Sequence, residues 1–236
     1  MSPLSAQQSA IAHMIILQNF PNIRSLVDAL NANISLRHAF DSCPGIAEIA
    51  IRRQIDPKLL PLAIANIEAS HKTYTHSDIQ EVKNLYLDVF ENPRRFTDRL
   101  QISNNTNPIP MNDLIRMGEI HDNIGRVMRR YMEHAWEVIL KKKNRTDRGP
   151  FEMSSTEELR AYRAFYRLEL FFKLCRGDRR PGPKFLHSRS CFFLLLHPPW
   201  ELGQMACAYR CLERHYMEKS KLLCPSQTTW LEMDTL

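Results

Sequence analysis

An all-α fold is what this sequence predicts, on three observations. Glycine is scarce, with only 7 in 236 residues, whereas sandwiches and barrels need many glycine-marked turns. No stretch alternates between apolar and polar long enough to read as a series of half-buried strands. Apolar residues instead recur every three or four positions between proline- and asparagine-containing breaks. The chain is 44% hydrophobic and 25% charged, near the globular average, which excludes wholesale disorder.

The elements follow in order. Ala10 to Phe20 carries Ile11, Met14, Ile15 and Leu17 at helical spacing and stops before Pro21-Asn22. Ser25 can cap a second helix with Leu26, Ala29 and Leu30, and Ser35 a short third one with Leu36, Ala39 and Phe40 that ends at Pro44-Gly45. Ile46, Ile49, Ala50 and Ile51 start a fourth. Asp56-Pro57 then reads as an N-cap followed by proline at the first helical position, leading into Leu59, Leu60, Ala63, Ile64 and Ile67. Ser77 and Gln80 form a capping-box pattern before Val82, Leu85, Tyr86, Val89 and Phe90, and Asn92-Pro93 closes that helix.

Residues 101–112 are polar, hold Pro108 and Pro110, and read as a linker. From Asn112 onwards Met117, Ile120, Ile124, Val127, Tyr131, Ala135 and Val138 repeat at a period near 3.5, the strongest helical signal in the chain. Gly118 and Gly125 lie one heptad apart within it and predict close packing or a bend. Residues 154–158 offer two overlapping capping boxes before a stripe of Leu159, Tyr162, Phe165, Leu168, Phe172 and Cys175. Pro198-Pro199-Trp200 opens a last helix with Met205, Tyr209, Leu212 and Tyr216 on its expected buried side. Residues 141–154 and 176–198 read as basic loops. Trp136, Phe165, Phe172 and Trp200 are expected in the core.

Net charge is +6, and it is regional: residues 141–184 hold thirteen Lys/Arg against six Asp/Glu. Lys141, Lys142, Lys143 and Arg145 form the densest patch, a candidate nuclear-import or acidic-partner surface. No aromatic residue interleaves with that run, as base stacking would require, so a solvated basic face is favoured over nucleic acid binding. The longest strictly apolar run, Cys191 to Leu196, is far short of a membrane span. No basic residue precedes the apolar stretch near the N-terminus, which argues against a secretory signal. The expected location is therefore cytoplasmic or nuclear, with the six cysteines reduced. In that setting the sequons at Asn33, Asn104 and Asn144 and the Arg176-Gly177-Asp178 triplet are coincidental.

One order of features resembles a known family. The run from Ile16 to Leu26, Ile-Leu-Gln-Asn-Phe-Pro-Asn-Ile-Arg-Ser-Leu, with Leu30, Leu36 and Phe40 after it, resembles the second half of an F-box. It is similar to the degenerate version that opens many fungal F-box-like proteins, which tend to continue with stretches like Ile51-Arg52-Arg53-Gln54-Ile55 and Leu59-Leu60-Pro61-Leu62-Ala63 and to carry a segment like Pro198-Pro199-Trp200-Glu201. Gln8-Ser9-Ala10-Ile11 stands where an F-box has Leu-Pro-x-Glu.

The resemblance implies an F-box-like helical cluster over residues 1–56 and a larger, irregular helical region over 57–236. It also implies a non-enzymatic interaction protein, an adaptor of a cullin-RING ubiquitin ligase that binds a Skp-type adaptor protein and an unidentified substrate protein. The residues it carries over to adaptor binding are Ile16, Leu17, Phe20, Pro21, Leu26 and Leu30. Those same side chains also suit the cluster's own core, with Phe20 and Pro21, at the turn, the better contacts.

Chemical motifs are weaker. Cys207, Cys211 and His215 share one helix face, but all three span about 12 Å, too long for one tetrahedral zinc site. A further ligand (Cys191, His197 or Cys224) would have to come from elsewhere, so ordinary thiols are the expectation. His121-Asp122 matches the central pair of HD-type metal phosphohydrolases, also all-helical, but His71, His76, Asp147 and Asp178 are poorly placed to complete a cage. No nucleophile elbow, phosphate loop or His-Glu-x-x-His is present. No cofactor or metal is therefore expected.

Overall fold

The computed structural model describes residues 3–43, 45–74, 78–100, 109–142, 153–175 and 193–223, and among them the regular structure is entirely helical. Among the described residues the helices with defined bounds run in order: α1 (Pro3–Gln18), α2 (Ile23–Ala32), α3 (Ile34–Asp41), α4 (Ile46–Gln54), α5 (Leu60–Ser70), α6 (Ile79–Glu91), α7 (Pro93–Thr97), α8 (Met111–Lys142), α9 (Ser155–Cys175) and α10 (Pro199–Leu223). They divide into two compact units, Met1–Asp122 with Glu169–Phe192, and Asn123–Leu168 with Phe193–Leu236. The expected 1–56 segment falls inside the first unit, which continues past it, and Gln54 at the end of α4 is tied to α8. Its amide donates to Gly118 O at 3.2 Å and to Asp122 Oδ1 at 2.9 Å.

The starts of α2 and α3 follow asparagine rather than serine. Asn22 caps α2, its side chain accepting from Ser25 N at 2.8 Å. Asn33 caps α3, accepting from Ser35 N at 2.9 Å and Leu36 N at 3.2 Å. Ser25 and Ser35, the expected caps, lie inside the first turn and supply the orphan N–H groups instead. α1 begins at Pro3, earlier than Ala10, since proline is tolerated in the first turn and the Ser/Gln run does not interrupt the backbone ladder. Gly45, at φ 103°, makes the left-handed entry to α4. Asp56 caps only a turn, accepting from Lys58 N at 2.7 Å, and α5 proper starts at Leu60.

α1 packs on α3 and α4, and α2 on the same two. α5, α6 and α7 pack on one another. α5 is the innermost: every residue from Leu60 to Ile67 is buried, as expected of a helix that is apolar all round. Lys173 of α9 reaches this core, donating to Asn66 O at 3.2 Å.

Of the linker expected over 101–112, residues 101–108 lie outside the described residues. Met111 and Asn112 belong to α8, and Ile109 is buried. The buried line of α8 is Leu114, Met117, Ile124 and Met128, with Gly118 and Gly125 also buried. It fades towards Tyr131 and Ala135, which are half-buried, and Val138, which is exposed.

Both α8 glycines sit under close neighbours, as their spacing predicts, yet they are not equivalent. A Cβ on Gly118 would lie 2.5 Å from Ile23 Cγ2 and 2.8 Å from Gln54 Oε1. Ile23 is fully buried, and Gln54 is held by its bonds to α8. A Cβ on Gly125 would meet the tip of Tyr162, whose Oη is 2.5 Å away at the far end of a half-buried side chain. Gly118→Ala should therefore cost about 1–2 kcal/mol, overpacking outweighing the helix-propensity gain. Gly125→Ala should fall within about 0.5 kcal/mol of neutral, the two effects nearly cancelling. Denaturation midpoints of the two variants compared with wild type check this, and equal losses would refute the distinction.

In the second unit, Ser154 and Glu157 form the expected capping box on α9: Glu157 N donates to Ser154 Oγ at 3.3 Å and Ser154 N to Glu157 Oε2 at 3.0 Å. Residues 164–168 are buried through a whole turn. The buried side of α10 is Met205, Ala208 and Cys211. Tyr209 and Tyr216, expected there, lie about a quarter turn away and are exposed, Tyr216 by 71%. Phe165 is core as expected, Trp136 is half-buried, and Phe172 and Trp200 are exposed.

Candidate interaction surfaces

The second half of α1, from Ala10 to Leu17, is apolar apart from His13, but only part of it is covered. Leu17 is buried and His13 and Met14 are half-buried, whereas Ile11, Ile15 and Ile16 are 48%, 54% and 49% exposed. Ile11 and Ile15 are one turn apart on a common face. The chain then turns at Asn19, whose amide donates to Ile15 O at 2.7 Å, through half-buried Phe20 and exposed Pro21. Leu26 and Leu30 point into the first unit's core. Of the six residues carried over to adaptor binding, Ile16, Phe20 and Pro21 therefore retain accessible surface, while Leu17, Leu26 and Leu30 are buried. Ile11 and Ile15 complete the exposed face; the signal for them was the nearly unbroken apolar run from Ala10 to Leu17, which is wider than one stripe and which a single core does not fully cover.

The second unit holds a buried ionic cluster. His197 Nδ1 lies 3.0 Å from Glu201 Oε2, and Arg167 Nη2 donates to Glu201 Oε1 at 2.8 Å. The His197 and Arg167 side chains are 2% and 4% exposed. Glu201 occupies the first turn of α10, where a carboxylate suits the helix dipole. Burial holds the His197 imidazole below its ordinary pKa, outweighing the hydrogen bond and charge of Glu201. For Glu201 burial acts upward, but the His197 bond and the Arg167 charge prevail and keep the carboxyl below the usual range. The cluster joins the start of α10 to the centre of α9.

Along α8 and α10 runs an open cleft of about 620 Å³. Arg126, Arg129, Arg130 and Lys219 line it, with Val127 and Leu212 as its apolar members and one carboxylate, Glu133. None of these four cations forms an ion pair among the described residues. The Arg126-Val127-Met128-Arg129-Arg130 run is visible in the sequence, but the larger basic surplus of 141–184 overshadows it.

The densest expected basic patch is largely out of view. Lys141 and Lys142 end α8, and Lys143 and Arg145 lie outside the described residues, as does most of the 176–198 loop; Phe193 and His197, within its described end, are buried.

Among the described residues neither chemical motif assembles further; His76, Asp147 and Asp178 lie outside them. His121 is half-buried, its pKa lowered by burial against the opposing charge of Asp122, whose Oδ1 accepts from Gln54. His71 instead pairs with Asp113 at 3.0 Å. On α10 Cys207 is exposed and Cys211 buried, its thiol pushed by burial up to about 11, which makes it a poor nucleophile. His215 lines the cleft; Cys191 and Cys224 lie outside the described residues. Among the described residues no group of three or more His, Cys, Asp or Glu is placed to hold a metal ion. No described helix is long and apolar enough to cross a membrane. No family model, curated protein or solved structure matches the chain.

Proposed function

We propose that this chain is a non-enzymatic protein-interaction module of the F-box type, with α1 as the face that docks a Skp-type adaptor protein and the remainder selecting a substrate protein. The observation that carries the reading is the uncovered isoleucine face of α1, Ile11, Ile15 and Ile16, beside the exposed Pro21. Three large aliphatic side chains half in water on one short helix are unfavourable unless a partner covers them, at about 25 cal/mol per Å² of apolar surface removed from water. The buried Leu17, Leu26 and Leu30 hold that face in place without touching the partner.

Co-purification of the tagged full-length chain with the Skp-type adaptor tests this. The wild type should recover adaptor, and an Ile11→Asp/Ile15→Asp variant should recover about tenfold less or none, with unchanged helical circular dichroism. A folded wild type that recovers no adaptor would end the reading, as would a double variant that recovers it normally.

A further inference from the structure

We propose that the α8–α10 cleft of the second unit is a binding site for a short acidic peptide segment of a partner protein. This inference is independent of what α1 binds. Its first support is charge: Arg126, Arg129, Arg130 and Lys219 converge on one cleft, against a single carboxylate, Glu133, among the described residues that line it. Four cations that form no ion pair among the described residues raise one another's electrostatic energy, and an anionic ligand relieves that repulsion while gaining charge-assisted hydrogen bonds. Arg126 spends one donor on Asn123 Oδ1, and Arg129 points its Nε at Gly125 O at 3.4 Å. Each guanidinium keeps further N–H groups for a ligand.

Shape decides the class of ligand. The α8 wall from Asn123 to Glu133 is about 15 Å long at 1.5 Å per residue, which matches four or five residues of extended peptide at about 3.3 Å each. Val127 and Leu212 contribute apolar surface between the charges, so the favoured segment carries a large aliphatic side chain among its carboxylates. A nucleic acid fits less well. The same groove continues along α8 past Glu133 to Glu137, with Arg214 and Glu218 opposite on α10, and that mixed run of carboxylates and cations suits an uninterrupted phosphate backbone less well than the arginine end does. A peptide can place its acidic residues at the arginine end and leave neutral or basic ones beside the glutamates.

Fluorescence anisotropy of the full chain with labelled Glu-Glu-Leu-Glu-Glu at low ionic strength tests the proposal. Comparison ligands are Gln-Gln-Leu-Gln-Gln and a single-stranded oligonucleotide. The acidic peptide should bind, added salt should weaken it, and the amide peptide should not bind. Arg126→Ser/Arg130→Ser should weaken binding by about tenfold or more, through loss of two charge-assisted contacts. Arg53→Ser, at an exposed position on α4 in the first unit, should leave it unchanged. Absence of binding by the folded wild type, or equal binding by the double-arginine variant, would overturn the assignment. Oligonucleotide binding tighter than peptide and lost in that same variant would overturn it in favour of nucleic acid.

Discussion

Glu201→Gln should destabilise the second unit by on the order of 3 kcal/mol, a large effect for one oxygen-to-nitrogen change. Arg167 is a permanent cation with a 4% exposed side chain, and burial already presses its pKa down against the opposing pull of Glu201. Taking the carboxylate away leaves that charge desolvated without its counter-ion, and the glutamine amide presents a donor where His197 or Arg167 needs an acceptor. Removing both ionic partners should be milder than removing one. Arg167→Met combined with Glu201→Gln is expected to recover at least half the loss, a non-additivity that a double-mutant cycle in urea reads directly. A Glu201→Gln loss below about 0.5 kcal/mol would mean that the pair contributes little net energy.

Acid should reproduce part of that loss in the wild type. The folded-state pKa of His197 lies below its ordinary 6.5, chiefly through burial, and that of Glu201 lies below 4.5 despite its own burial. For both groups the unfolded chain binds the proton more readily than the folded one. Their contribution is therefore fully present above the unfolded pKa values, and is lost as pH falls first through the histidine window below 6.5 and then through the carboxylate window below 4.5. Stability measured from pH 7 downwards should decline in those two steps, and the step below 4.5 should shrink in Glu201→Gln.

The sequence makes helical content legible because it rests on local spacing. It makes helix starts less so, because Asn22 and Ser25, or Asn33 and Ser35, are chemically interchangeable candidates. Only the backbone decides which side chain meets an orphan N–H. The Ser154–Glu157 box was readable since both partners lie within four residues. His197, Glu201 and Arg167 were not, because Arg167 is 34 residues from Glu201 and no periodicity links them. The cleft arginines were hidden differently: three sit within one run, but Lys219 is about ninety residues away on another helix. Tyr209 and Tyr216 show the remaining limit. Helical phase places them near the buried line of α10, and the small side chain of Ala208 together with Cys211 sets that line a quarter turn to one side.

Leu26 and Ile15 should respond in opposite ways to truncation, although the sequence places both on apolar faces of the N-terminal cluster. Leu26 is wholly enclosed, so Leu26→Ala removes its buried methyl groups and leaves a cavity in a core that also includes Ile23 and Leu17. The expected loss is about 3–5 kcal/mol, a large share of a domain's total stability. Ile15 is 54% exposed, and Ile15→Ala should change stability by no more than about 0.5 kcal/mol, alanine's better helix propensity offsetting the packing lost. Adaptor recovery reverses the weighting. Ile15→Ala should weaken it while the protein stays folded, whereas Leu26→Ala should affect it only as far as it unfolds the cluster, and lowering the temperature should restore it. A stable Leu26→Ala would mean that the cluster has no tightly packed core around that residue. A destabilised Ile15→Ala would mean that its exposed face is already in use within the chain, and the uncovered surface on which the proposed adaptor docking rests would then not exist.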